Sequence, residues 1–408
     1  MRTKAFAGLV PAPQYAADVA AVPYDVVNTE EARALGANKP RNLIHVDRAE
    51  IDLPEGTDPY SDAVYEKAAE NFRELQASGV LEREQNPCVY LYRQEWRGQT
   101  QTGIALACHI DDYENDIIRK HEKTRPVKED DRTRLVDTLG AHTGPIFLTY
   151  RDSPSLDAIV TSITEQIAPT VDIVDENEVH HVVWKVEGGE PIIDAFSQVP
   201  LAYVADGHHR SASAWRVGSE RRAANPDHDG SEGYNWFLGV LFPASQLQIL
   251  PYNRLVKDLN GRSVDEFLAV LKESFDVEPT ATPEPEEAGN ACMYLDGKWY
   301  RLSWPTPGDD ASPIDRLDVS VLQDRILSPL LAIEDPRTDN RVDFVGGIRG
   351  TGELEKRVDG GDWAVAFSVY PVTIDQLMDI ADAGEIMPPK STWFEPKLRS
   401  GLFIYTLD

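Results

Sequence analysis

An apolar segment, Leu201-Ala202-Tyr203-Val204-Ala205, runs without a break into Asp206-Gly207-His208-His209-Arg210, and a stretch of helical composition, Ser211–Val217, follows. This junction constrains the chain more than any other feature. A buried strand must end, a glycine must permit a tight turn, and a helix must begin at once. Asp206 stands where an N-cap is wanted, since its carboxylate can accept the free N–H groups of a first helical turn. The same helix end presents backbone donors and a positive dipole to an anion. Arg210, four residues after Asp206, returns to the same face, and the imidazoles of His208 and His209 point about 100° apart. One of them is then available to a ligand while its neighbour packs inward. Two adjacent histidines on a helix cannot easily ligate one ion, and no further His-rich cluster accompanies them, so a metal site here is disfavoured.

Strand-like and helix-like stretches alternate around this junction. Glu30–Leu35 and Tyr60–Leu81 read as helices, the second carrying Ala63, Val64, Ala68, Phe72 and Leu75 near helical spacing. Cys88–Tyr92 and Thr102–Ala107 read as strands of a hairpin that turns around Arg97-Gly98-Gln99. Pro145–Tyr150, His180–Val186 and Trp236–Phe242 add strands; Leu156–Gln166 and Val264–Phe275 add helices. The Pro- and Glu-rich stretch Glu278–Asn290 reads as a solvated connector, followed by strands near Cys292–Leu295, Trp299–Leu302 and Val342–Val345 and a helix at Ile374–Ala383. The alternation predicts a mixed α/β or α+β protein. Three units are expected: 1–150, 151–275 and 276–408.

Composition narrows the partners. The 408 residues carry 69 acidic against 40 basic side chains, a net charge of −29. Such a field repels duplex DNA, and no nucleic-acid partner is expected. The acidity is dispersed, as at Asp111-Asp112, Glu129-Asp130-Asp131 and Asp309-Asp310, which suggests a hydrated surface adapted to high salt. No apolar run approaches bilayer length, and the first residues lack a secretory pattern, so the expectation is a cytoplasmic protein with no membrane partner. Three widely spaced cysteines, with no CxxC pair, fit a reducing compartment and small buried hydrophobes. The partner left is a small-molecule substrate; a homo-oligomer stays open.

Other segments are candidates of a second rank. His121-Glu122-Lys123-Thr124-Arg125 starts like a zincin helix, but Arg125 stands where the second histidine is required. It supplies instead a carboxylate beside cations, suited to deprotonating a hydroxyl and holding a polyanion. Pro23-Tyr24-Asp25 can set a carboxylate at a pocket mouth. Gly346-Gly347-Ile348-Arg349-Gly350-Thr351-Gly352 lacks the P-loop pattern and reads first as a strand-to-helix connection. Lys390-Ser391-Thr392 and Lys397 offer ammonium and hydroxyl donors of the kind that hold phosphate.

Val22-Pro23-Tyr24-Asp25-Val26-Val27, His121-Glu122-Lys123-Thr124, Gly144-Pro145-Ile146-Phe147, Asp206-Gly207-His208-His209-Arg210 and Met387-Pro388-Pro389-Lys390-Ser391-Thr392-Trp393-Phe394 occur in order along the chain. Together they resemble domain of unknown function 1015. The Asp-Gly-His-His-Arg element also resembles that of the ParB/sulfiredoxin-like free serine kinases. That resemblance implies a ParB/sulfiredoxin-like core with additional N- and C-terminal α/β units. It also implies transfer of a phosphoryl group from ATP, ADP or pyrophosphate to the hydroxyl of free L-serine.

On that reading Asp206, His208, His209 and Glu122 take catalytic roles. Gly207, Arg210, Lys390, Ser391, Thr392 and Lys397 bind phosphate, and Asp25, His121 and Thr124 bind substrate. Phosphoryl transfer needs positioning and charge stabilisation more than covalent help, and Mg2+ is expected to bridge the phosphates. The competing readings are a non-catalytic ParB-like protein that binds nucleotide or nucleic acid, and a phosphohydrolase using water as acceptor.

Overall fold

The computed structural model describes residues 1–308 and 310–408; Asp309, of the acidic pair noted above, lies outside them. The chain is a mixed α/β protein of two compact units, one of Met1–Leu247 with Pro396–Asp408, the other of Gln248–Glu395.

The first unit is built on a nine-stranded mixed sheet. Its strands are β1 (Thr3–Lys4), β2 (Cys88–Trp96), β3 (Gln99–His109), β4 (Ile118–Arg119), β5 (Ile146–Tyr150), β6 (Val171–Val174), β7 (His180–Glu187), β8 (Ala202–Asp206) and β9 (Trp236–Pro243). Their order is β4-β8-β5-β9-β3-β2-β7-β6, with β1 on β3. The sheet takes strands from both sides of residue 150, so the boundary expected there falls inside it, and the one expected near 275 falls inside the second unit.

The β2–β3 hairpin is longer than its apolar stretches suggested. Trp96 pairs with Gln99, and Arg97 and Gly98 both take positive φ, the requirement of a type I′ turn. Helices of the unit include α1 (Thr29–Gly36), α2 (Asp62–Ala77), α3 (Pro126–Leu139), α4 (Pro154–Gln166), α5 (Glu190–Ser197) and α6 (His208–Ala224). Leu156 of α4, Ile192 and Phe196 of α5 and Ala212 and Ala214 of α6 pack with sheet residues such as Leu91, Leu106, Leu148 and Val204 in one core. Helix α2 ends four residues before the expected Leu81, because Gly79 turns the chain at φ 71.

The terminal segment Pro396–Asp408 is woven into this unit. Ile404 bridges Leu9, Ser400 bridges Ala21, and Tyr405-Thr406 pairs with Ala141-His142. Phe403, fully buried, stacks on Tyr90 at 5.6 Å and meets Tyr92 edge-on at 5.7 Å.

The second unit holds a six-stranded antiparallel sheet of β10 (Tyr252–Val256), β11 (Asp276–Pro279), β12 (Asn290–Leu295), β13 (Lys298–Ser303), β14 (Val342–Gly346) and β15 (Val365–Val369). Its order is β11-β13-β12-β15-β10-β14. The expected connector Glu278–Asn290 thus begins on an edge strand, where Glu278 pairs with Arg301. Helices α7 (Val264–Leu271), α8 (Thr351–Asp359) and α9 (Ile374–Asp382) complete the elements used below. The glycine-rich stretch joins β14 to α8, with Gly350 at φ 67 before the helix. The three cysteines are buried and free.

Candidate functional site

Strands β4 and β8 run parallel and end at the same edge of the sheet, and β5, antiparallel to β8, begins there. This topology brings three chain corners together: the segment after Arg119, the segment before Ile146 and the turn after Ala205. The register of β8 on β5 shifts between Val204 and Asp206, so Ala205 is an extra residue and re-aims Asp206. Gly207 follows at φ 96, a conformation that costs an L side chain about 1–2 kcal/mol and glycine almost nothing. It is Gly207, not Asp206, that occupies the N-cap position of α6, and no side chain caps that end. The expected capping role of Asp206 is therefore replaced: the bulge and the glycine carry its carboxylate to cations. The first turn of α6 contains no acidic residue.

Asp206 Oδ2 lies 3.4 Å from Lys397 Nζ and 3.9 Å from Arg210 Nη2. Burial alone would raise its pKa, but Lys397 first, then Arg210, outweigh burial and hold the carboxyl well below the usual range. Arg210 donates to the carbonyl of Pro145, and its Nη2 is 4.0 Å from Asp25 Oδ1. The guanidinium thus stands between two carboxylates and leaves its Nε without a hydrogen-bond partner.

The two imidazoles separate as helical spacing requires. His208 is buried and meets buried His121 edge-to-face, with ring centroids 4.4 Å apart. Its Nδ1 lies 3.9 Å from Glu122 Oε2. Its Nε2, and both ring nitrogens of His121, lack hydrogen-bond partners. Burial lowers the pKa of His208 to about 4 and that of His121 well below its ordinary value, so both rings are neutral near pH 7. His209 sits farther out. Its Nε2 accepts the backbone N–H of Arg125 at 3.1 Å, which assigns its proton to Nδ1, and burial lowers its pKa too.

Asp25, half exposed, is placed by a loop that Arg48 holds: one guanidinium nitrogen donates to the carbonyls of Tyr24 (2.9 Å) and Val27 (2.8 Å). Beneath the loop, Arg132 stacks on the Tyr24 ring at 4.0 Å and pairs with Asp131 at 2.7 Å. The sequence reading missed Arg48 as well as the fully buried Asp47, which accepts from Thr143 at 2.6 Å and whose carboxyl burial pushes up. The polar turn after β4 is not helical, so His121 and Glu122 do not share a helix face. Thr124 donates its hydroxyl to Glu129 at 2.6 Å, inside the first turn of α3.

The first unit therefore brings together Asp25, His121, Glu122, Asp206, Gly207, His208, His209, Arg210 and Lys397. Lys390, Ser391 and Thr392 belong to the second unit. There Ser391 uses its hydroxyl proton on the carbonyl of Pro388 at 2.7 Å. Among the described residues, no group of three or more His, Cys, Asp or Glu side chains is arranged to hold a metal ion. No helix among them is long and apolar enough to cross a membrane.

Fold and site define a mixed α/β protein with a charged strand-to-helix corner. A family model described as "Protein of unknown function (DUF1015)" matches residues 3–320, and the chain belongs to that family. No curated protein matches it. Among solved structures, the chain is similar to a free serine kinase in complex with AMP, at 14% identity, covering 73% of this chain and 92% of that one, with a TM-score of 0.37. A conserved hypothetical protein from Pyrococcus furiosus matches at 14% identity over 73% and 94%, TM-score 0.35. A C-terminally truncated SbnI from Staphylococcus aureus matches at 12% identity over 73% and 87%, TM-score 0.37.

Proposed function

We propose that this protein is a small-molecule phosphotransferase that phosphorylates free L-serine to O-phospho-L-serine, with ATP, ADP or pyrophosphate as donor. One observation carries the reading: an uncapped helix start, Arg210 and Lys397 meet at the same corner as the carboxylates of Asp25, Glu122 and Asp206. Cationic and backbone donors at a helix N-terminus suit a phosphoryl group, and flanking carboxylates suit an amine and a hydroxyl.

In this reading Arg210, Lys397 and the N–H groups after Gly207 hold the transferring phosphoryl group. The serine Oγ forms the new bond to phosphorus as the bond to the donor's bridging oxygen breaks. Glu122, its side chain 49% exposed, takes the hydroxyl proton; Asp206, held strongly ionised by its cations, is the weaker base and orients Lys397 and Arg210. Asp25 receives the serine ammonium. His209 offers its Nδ1–H to the leaving oxygen as a neutral hydrogen-bond donor. His208 is a positioning residue, since its buried neutral ring reaches the site through Glu122.

Mg2+ is held mainly by phosphate oxygens and one or two carboxylates in such sites, rather than by an all-protein cage. Asp25, Glu122 and Asp206 fit that pattern, and the ion would neutralise charge on the phosphates.

The test is incubation of the pure protein with Mg2+, serine and each donor in turn, with O-phosphoserine read by mass spectrometry. Product with at least one donor is expected. No product with any donor ends the proposal, and phosphate release that does not need serine replaces it with a phosphohydrolase.

A further inference from the structure

Arg254, on β10, is 3% exposed, yet among the described residues no carboxylate lies in ion-pair range of it. One terminal nitrogen donates to the carbonyl of Tyr252, two residues back on the same strand. The guanidinium carbon lies 5.3 Å from the Phe344 ring. Burial drags its pKa down from 12.5 to about 10, the sign of a cation held where its charge is opposed.

These contacts do not settle the charge. A guanidinium has five N–H donors, and one backbone carbonyl takes one of them. A single charged hydrogen bond and one cation–π contact recover a part of what it costs to strip an ion of water and leave it without a counter-charge. A structural role would be served better by an apolar side chain of the same volume. An arginine retained in such a place is suited to a ligand that brings the missing charge, and its planar fork suits an oxyanion.

A second cation stands on the same tyrosine. The Nζ of Lys390 lies 5.3 Å from the Tyr252 ring. Lys390 takes φ 58, a left-handed conformation that a side chain of this kind adopts at a cost. The turn that imposes it is locked by the Ser391 hydroxyl on Pro388, and Trp393 packs edge-on to Tyr252 at 5.0 Å. No carboxylate within ion-pair distance of Lys390 is found among the described residues. Two cations without acidic partners among the described residues, in a chain with net charge −29, thus contact one residue, Arg254 through the Tyr252 carbonyl and Lys390 through the Tyr252 ring.

We propose that the second unit carries an oxyanion-binding site of its own, in which Arg254 and Lys390, both in contact with Tyr252, take the phosphate or carboxylate group of a small ligand. It does not rest on the serine-kinase reading: that reading expected Lys390 to bind phosphate, but the site is argued from the contacts of Arg254 and Lys390 within the second unit.

The test is phosphate binding by equilibrium dialysis on the full chain in the Arg210→Ala background, which disables the corner. One equivalent of inorganic phosphate is expected to bind Arg210→Ala. Arg210→Ala/Arg254→Met is expected to bind it at least about tenfold more weakly. Acetate at matched ionic strength separates the ligand sources: competition with phosphate assigns the site to carboxylates as well, and no competition assigns it to phosphates. Arg254→Met alone is expected to unfold at the same or a higher temperature without phosphate, because it removes an uncompensated charge. Arg254→Lys keeps the charge and serves if the methionine variant does not fold; it too is expected to weaken phosphate binding. Unchanged binding in the double variant, or no phosphate bound by Arg210→Ala, overturns the proposal.

Discussion

The ammonium of Lys397 lies 3.4 Å from the carboxylate of Asp206, joining two residues 191 positions apart in sequence. The contact carries a lysine from the terminal segment to the end of β8. The lysine arrives on a fixed path: Gln94 donates to its carbonyl at 2.9 Å, and the Arg399 N–H donates to the Tyr92 hydroxyl at 3.3 Å. Lys397→Met is expected to lower kcat/KM for serine phosphorylation about 10²-fold, the usual consequence of removing one preorganised donor from developing charge. Steady-state assays with whichever donor yields O-phosphoserine check this; a change within about twofold would remove Lys397 from the machinery.

Arg210 and His209 are expected to behave differently from each other. Arg210→Ala removes a cation between two carboxylates and should abolish transfer to the detection limit. His209→Ala removes one neutral hydrogen-bond donor and should lower kcat by about 10²-fold or less, with KM for serine nearly unchanged. Activity of both variants at the wild-type level would refute the catalytic assignment of the corner.

Gly207→Ala tests the backbone alone. A Cβ at this position would meet Arg210 at 3.5 Å and 3.6 Å, ordinary contact distances, so crowding is absent and the cost is the φ of 96. Loss of about 1–2 kcal/mol of stability is expected by chemical denaturation, with weaker phosphate binding as the exposed amides shift. A variant as stable as wild type would show that the left-handed conformation is not enforced.

Acid should unfold the protein through its buried imidazoles. His208 and His142 have folded pKa values of about 4, below the ordinary 6.5, because burial opposes their charge. The unfolded chain binds more protons between these values, so stability is complete above 6.5 and is lost as pH falls toward 4. Each group accounts for about 3 kcal/mol over that window, as an order of magnitude. Thermal unfolding followed from about pH 7.5 to 4.5 reads it, and His208→Asn should flatten the slope.

A second polar network lies away from the corner. Tyr92 contacts His181 Nδ1 at 2.7 Å, His181 Nε2 meets Asp175 at 2.9 Å, and Asp175 also pairs with Arg399, whose side chain is 5% exposed. Asp175→Asn leaves buried Arg399 with the more exposed Glu176, at 3.4 Å, as its carboxylate and weakens the contact to His181, so it should cost about 1–3 kcal/mol. Hydrogen exchange should rise over residues 398–404. If stability and exchange stay as in wild type, the terminal segment is held by its apolar contacts alone.

Much of the fold was legible because its signals are local. The strand ending at Ala205, the helix after Gly207 and the β2–β3 hairpin follow from apolar runs, glycine and turn residues within a few positions. What escaped depends on distant partners. Nothing near Asp206 tells that a bulge at Ala205 would turn its carboxylate away from the helix start toward Lys397. Arg48 and Asp47 look like ordinary surface charges in sequence; contacts with Tyr24 and Thr143 make them, with Arg132, the floor under the Asp25 loop. The division of the chain was hidden for the same reason, since strands on both sides of residue 150 share one sheet.

The return of Pro396–Asp408 to the first unit also sets an order of events for a newly made chain. Everything from Gln248 to Glu395 must leave the ribosome before Lys397 can reach Asp206. Until then Leu9, Tyr90 and Asp175 lack the partners that Ile404, Phe403 and Arg399 supply in the finished fold. A nascent protein therefore cannot join Lys397 to Asp206 until synthesis has passed the second unit.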